Sequence, residues 1–160
     1  MSGRTIVVGV DGSDGGRRAL RWAVEQARDG DVTVQAVTAW QWDGIEGLPM
    51  AGNTPQQARE RAARQLAETV EAVARETTPP GGTPPVIATE LVEGDPAVVL
   101  TQAARTADLL VLGSHGHSRF RHAVLGSVSE ECIRRATCPV VVIPVPQEHP
   151  QRPAAPAVPG

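Results

Sequence analysis

Asp108-Leu-Leu-Val-Leu112 runs directly into Gly113-Ser-His-Gly-His-Ser-Arg-Phe-Arg-His-Ala-Val-Leu-Gly-Ser127, where a helical pattern opens. A short apolar run that stops at glycine reads as a buried parallel strand. A strand feeding a glycine-rich loop, and the loop feeding a helix start, is how open α/β sheets hold phosphate groups. The amides of Gly126, Ser127 and Val128 are expected to point outward with the helix dipole behind them. The hydroxyls of Ser127 and Ser129 suit phosphate oxygens or a phosphate-bound metal. The competing reading is an ordinary connection with a glycine turn, which the length of the loop disfavours.

Working outward, the rest of the chain repeats the same alternation. Arg4 to Val10 reads as strand one, and Asp11-Gly-Ser-Asp14 as a turn. Residues from about Ser13 to Arg28 place Ala19, Leu20, Ala23, Val24 and Ala27 on one helical face. Val32 to Trp40 is strand two, followed by a long Gly/Pro-containing loop over 41–53. Thr54-Pro-Gln-Gln57 resembles a capping box, behind which a long amphipathic helix extends to about Thr77. Pro79 to Pro85 breaks it. Strand three is expected over Val86–Val92, a helix from Pro96 to about Arg105, strand four over Asp108–Leu112, a helix over Ser127–Arg135, and strand five over Pro139–Pro144.

Strands alternating with helices predict an α/β fold: an open, doubly wound, five-stranded parallel sheet in the order 3-2-1-4-5, helices on both faces. Pro144 and Pro146 push the last strand to an edge, where a Val-Val-Val-Ile run would be an aggregation hazard. Pairing with the same strand of a second copy is the economical solution, so a homodimer through Val140–Val145 is expected. The stretch 146–160 carries five prolines in fifteen residues and reads as a disordered tail.

Composition removes several function classes. A net charge of −3 argues against a general nucleic-acid or membrane-surface binder. The absence of a signal-peptide core or long apolar run predicts a cytoplasmic protein, with Cys132 and Cys138 as free thiols packed as small apolar groups. All fifteen basic residues are arginine, so the lysines of a Walker loop, a protein kinase or a Schiff-base enzyme are missing. With no tyrosine, one phenylalanine and three tryptophans, the core must be aliphatic. His115, His117 and His122 do not combine with Cys132 into a recognisable zinc spacing, so no metal site is expected from the protein alone. Trp40 and Trp42 suit either stacking on a base or packing beneath the 41–53 loop. Arg119 and Arg121 suit either phosphate contact or solvated surface.

Asp11 ends strand one, beside the point where chain direction reverses and where such sheets collect ligands. Its carboxylate can accept from ribose hydroxyls, or simply form the Asp-Gly-Ser-Asp turn.

These residues carry a resemblance. Val8-Gly-Val-Asp-Gly-Ser13, Leu110-Val-Leu-Gly-Ser-His-Gly116, Leu125-Gly-Ser-Val-Ser129 and Cys138-Pro-Val-Val-Val142 are similar, in order and spacing, to the universal stress protein family. The resemblance covers about residues 3–145 and implies one nucleotide-binding domain over 1–145. Its G-x-x-G-x9-G-[ST] spacing, met by Gly113, Gly116, Gly126 and Ser127, implies the family's ATP-binding subgroup. It further implies that Gly9, Val10 and Asp11 contact ribose and adenine, and that Val37 is an apolar adenine contact. Leu112 and Gly113 would lie beneath base and ribose, His115 and Gly116 on the phosphate-side turn, and Gly126, Ser127, Val128 and Ser129 along the triphosphate. Mg²⁺ is expected only through the ATP phosphates near Ser127.

The expected function is therefore an ATP-binding regulator in stress response, acting through nucleotide occupancy and dimer or partner contacts. No strong general base with a placed nucleophile is evident, so hydrolysis should be weak. A slow ATPase or nucleotidyl-transferring enzyme, a binder of cyclic AMP or another adenine nucleotide, and an interaction domain that binds no nucleotide are the alternatives.

Overall fold

The computed structural model describes residues 3–42, 54–115 and 125–146. Five strands, β1 (Arg4–Gly9), β2 (Val32–Trp40), β3 (Ile87–Glu93), β4 (Leu109–Gly113) and β5 (Val140–Ile143), form one sheet in the order β3-β2-β1-β4-β5. All neighbouring pairs are parallel. Four α-helices connect them: α1 (Asp14–Gln26), α2 (Pro55–Thr77), α3 (Pro96–Ala103) and α4 (Ser127–Arg135). This is the predicted fold class and strand order.

The aliphatic composition builds the sheet through a period of two. Ile6, Val8 and Val10 face one side with Ala19, Leu20, Ala23 and Val24 of α1 and Leu66 and Val73 of α2. Val7 and Val37 face the other side with Val99 and Leu100 of α3 and Cys132 of α4. Three of the four described helices start at a side-chain cap. Ser13 caps α1, Asp95 caps α3, and Thr54 with Gln57 forms a reciprocal capping box on α2.

Boundaries differ from expectation by a residue or two. Strand three begins at Ile87 because Val86, just beyond Pro84-Pro85, is 91% exposed and pairs with nothing in the ladder. The third helix ends at Ala103 and tightens into a 3₁₀ turn over Ala104–Thr106, short of the expected Arg105 terminus for the α-helix proper. The last strand is confined to Val140–Ile143 by the prolines on both sides. The 43–53 part of the long loop, residues 116–124 and the tail from 147 lie outside the described residues.

The two thiols lie in the α3/α4 layer, Cys132 wholly buried and Cys138 half-buried against it. Burial, with the charges of Asp95 and Glu131, pushes the Cys132 thiol up to about 11. Burial also raises the Cys138 thiol. Between the ordinary thiol value and the folded one, the unfolded chain has lost a proton that the folded chain keeps, so stability falls as pH rises. The chain has no lysine or tyrosine to titrate in that window. Urea unfolding is expected to show full stability below about pH 9 and a progressive loss toward pH 11, with a flatter profile in Cys132→Ala; an unchanged slope in that variant rejects the assignment.

Candidate functional site

At the carboxyl ends of β1 and β4 the sheet opens into a cleft of about 200 Å³. It lies where the chain leaves β1 for one face and β4 for the other, the switch point of a doubly wound sheet. Gly9, Val10, Asp11, Val37, Leu112, Gly113, His115, Gly126, Ser127, Val128 and Ser129 all line it. Gly116, His117, Arg119, Arg121 and His122 lie outside the described residues.

The apolar wall is made by Val37, Ala39, Pro96, Leu100 and Leu112. Gly9 belongs to that wall by its lack of a side chain, since a Cβ there would sit 2.8 Å from Leu112 Cδ2 and 2.9 Å from Leu100 Cδ1. Ser13, Gly16, Ala39, Pro96 and Leu100 were not singled out from the sequence. Ala39 had a usable signal, standing two residues beyond Val37 on the same strand face. Pro96 and Leu100 belong to the helix expected from Pro96 to about Arg105, but nothing local shows that this helix overhangs the cleft. The indoles of Trp40 and Trp42 are not among the lining groups.

Three helix starts border the cleft, and they are not equivalent. In α1, Ser13 Oγ accepts from Gly16 N at 3.3 Å. In α3, Asp95 Oδ2 accepts from Val98 N at 3.2 Å. The first turn of α4 has Gly126 at its N-cap and no side-chain cap. Of the amides expected to point outward there, the Gly126 N–H instead donates to Ser114 O at 2.6 Å. The outward-facing donors are therefore one residue fewer than the sequence suggested, beginning at Ser127. Ser127 and Val128 are exposed, whereas Ser129 is buried and its hydroxyl donates to Gly113 O at 2.8 Å. That hydroxyl ties α4 to the end of β4.

Asp11 is anchored by the turn it forms. Its Oδ1 accepts from Ser13 N at 3.0 Å and from the Ser13 hydroxyl, so the carboxylate orients the residue that caps α1. Gly12 beside it has φ +83°, a left-handed conformation that favours glycine. His115 is half-buried, with Nδ1 3.0 Å from Ser114 Oγ.

Packing alone requires glycine at 113. A Cβ on it would lie 2.7 Å from the carbonyl carbon of Gly15, and a Cβ on Gly15 would lie 2.5 Å from His115 O. The first turn of α1 and the end of β4 cross backbone against backbone.

A model of the universal stress protein family matches residues 3–144. The chain belongs to the universal stress protein family. It is 30% identical over 149 residues to a universal stress protein of Methanocaldococcus jannaschii, covering 91% of this chain and 84% of that protein. It spans about half the length of the Mycobacterium tuberculosis universal stress proteins that it matches. A universal stress protein solved in complex with cAMP is 28% identical with a TM-score of 0.58, covering 89% of this chain and 98% of that one. The Archaeoglobus fulgidus protein solved in complex with dAMP is 28% identical with a TM-score of 0.64, covering 89% and 99%. Among the described residues no helix is long and apolar enough to cross a membrane.

The backbone crossing has a measurable consequence. Gly113→Ala is expected to lose about 1–3 kcal/mol in urea unfolding, the usual cost of overpacking a tight contact. Gly30→Ala, where a Cβ would meet only Val32 Cγ2 at 3.6 Å, should change stability by less than about 0.5 kcal/mol. Equal midpoints for the two variants would contradict the packing role.

Proposed function

We propose that the cleft binds ATP, with Mg²⁺ held through the phosphates near Ser127, and that the protein acts by nucleotide occupancy in stress response rather than by turnover. The observation that carries this reading is the uncapped start of α4 facing an apolar wall across one cleft. A flat heterocycle fits against Val37, Ala39, Leu100 and Leu112. The ribose falls to Asp11, Gly113 and the backbone of Gly9 and Val10. The amides of Ser127 and Val128 then donate to phosphate oxygens, with Gly126 giving the backbone close approach. The nucleotides bound by the related proteins, cAMP and dAMP, are adenine nucleotides, and this supports the base assignment more than the triphosphate.

Little in the cleft serves hydrolysis. Asp11 and His115 are its titratable residues among those described, and each is already engaged by a serine hydroxyl. A general base needs a lone pair aimed at the attacking water. A slow ATPase therefore ranks second, and a measured rate near the enzyme median of about 10 s⁻¹ would promote it.

The same reading includes a homodimer through Val140–Val145. β5 forms one edge of the sheet, its residues half-buried and Val145 45% exposed. Pairing with a second copy removes an open apolar edge.

Ser127→Asp tests the phosphate assignment. A carboxylate in the first turn of α4 complements the helix dipole, so thermal stability should hold or rise by the equivalent of about 0.3–1 kcal/mol. ATP affinity in calorimetry should fall by about tenfold or more, because the same amides and dipole then face a fixed negative charge. Undiminished ATP binding by this variant would place the phosphates elsewhere.

A further inference from the structure

Ser114 is 4% exposed and joins three separate pieces of the molecule. Its N–H donates to Ile143 O at 2.9 Å, and its carbonyl accepts from Gly126 N at 2.6 Å. Its hydroxyl accepts from Val145 N at 3.2 Å and lies 3.0 Å from His115 Nδ1. The Val145 N–H and the His115 ring nitrogen thus converge on one buried hydroxyl.

Two of these partners, His115 and Gly126, line the cleft. The other two flank Pro144 at the end of β5. Pro144 and Pro146 have no N–H, so Val145 carries the single backbone donor of residues 144–146. That donor is spent on Ser114.

We propose that Ser114 is a positioning residue that couples the cleft to the outer edge of the sheet. Its hydroxyl and carbonyl hold His115 and the N-cap of α4 in register with Ile143 and Val145. A ligand that fixes the start of α4 then fixes the end of β5, and pairing along β5 pre-sets the start of α4. Such coupling is reciprocal by necessity: whatever factor the ligand applies to edge pairing, edge pairing applies to the ligand. The functional consequence rests on the nucleotide reading above; the mechanical link does not.

The test uses the full chain and does not require a ligand. Val145→Pro removes the N–H that reaches Ser114 and also fixes φ at that position, whereas Val145→Ala keeps the donor; the side chain is 45% exposed, so both should fold, and Ser114→Ala removes the same bond without touching the 144–146 backbone. In ¹⁵N-labelled, ligand-free protein, Val145→Pro is expected to shift the amide signals of His115 and of Gly126–Val128, while Val145→Ala leaves them in place. Ser114→Ala, which keeps both backbone bonds, should shift the same signals and speed exchange of the Val145 amide. Isothermal titration with ATP should show affinity about two- to tenfold weaker in Val145→Pro than in Val145→Ala, the worth of one hydrogen bond. The coupling is overturned if Val145→Pro moves the 126–128 signals no more than Val145→Ala does. Shifted spectra in a protein that binds no ATP would uphold the coupling and overturn the nucleotide reading.

Discussion

Gly15 and Gly113 meet with no room for a Cβ on either, and the geometry of the cleft depends on that crossing. It brings the first turn of α1 down onto the end of β4, and so sets the distance between the Asp11 turn and the loop that leaves β4. Ser129 then fastens α4 to the same spot through Gly113 O. Two helix starts are referred to one glycine on one strand. Separating them by even a methyl group's width would move the Asp11 side and the α4 side of the cleft relative to each other. Packed backbone transmits such a displacement because interiors have little slack.

The fold was readable because its signals are local and mutually consistent. β-branched runs, helical stripes, caps and proline breaks each marked an element, and their alternation left one common topology. The cleft's polar side was readable for a related reason: Asp11 and the Gly126–Ser129 segment lie at strand and helix ends, where a doubly wound sheet must expose them. What the sequence hid was the partner of each group. Gly113 and Ser129 line the cleft as expected, but that they also form the joint between β4, α1 and α4 was not visible. Leu100 and Pro96 looked like ordinary helix residues, and their place in the wall depends on how α3 leans over β1 and β2. Side-chain commitments across 16 or 31 residues, such as Ser129 to Gly113 or Val145 to Ser114, leave no periodic trace in the chain.

The missing lysine gives this site its character. A Walker loop neutralises a triphosphate with a mobile ammonium group. Here, the described part of the cleft offers backbone amides and a helix dipole, both fixed by the fold, beside serine hydroxyls, the Asp11 carboxylate and His115. Fixed dipoles suit holding, because they are already oriented when the ligand arrives. They are poorly suited to turnover by themselves, since accelerating phosphoryl transfer needs groups that bind the transition state better than the ground state. The acidic Glu130 in the first turn of α4 weakens the dipole's pull on an anion further. On the nucleotide reading proposed above, affinity comes from the combination of apolar wall and helix start, so a ligand lacking either end should bind weakly.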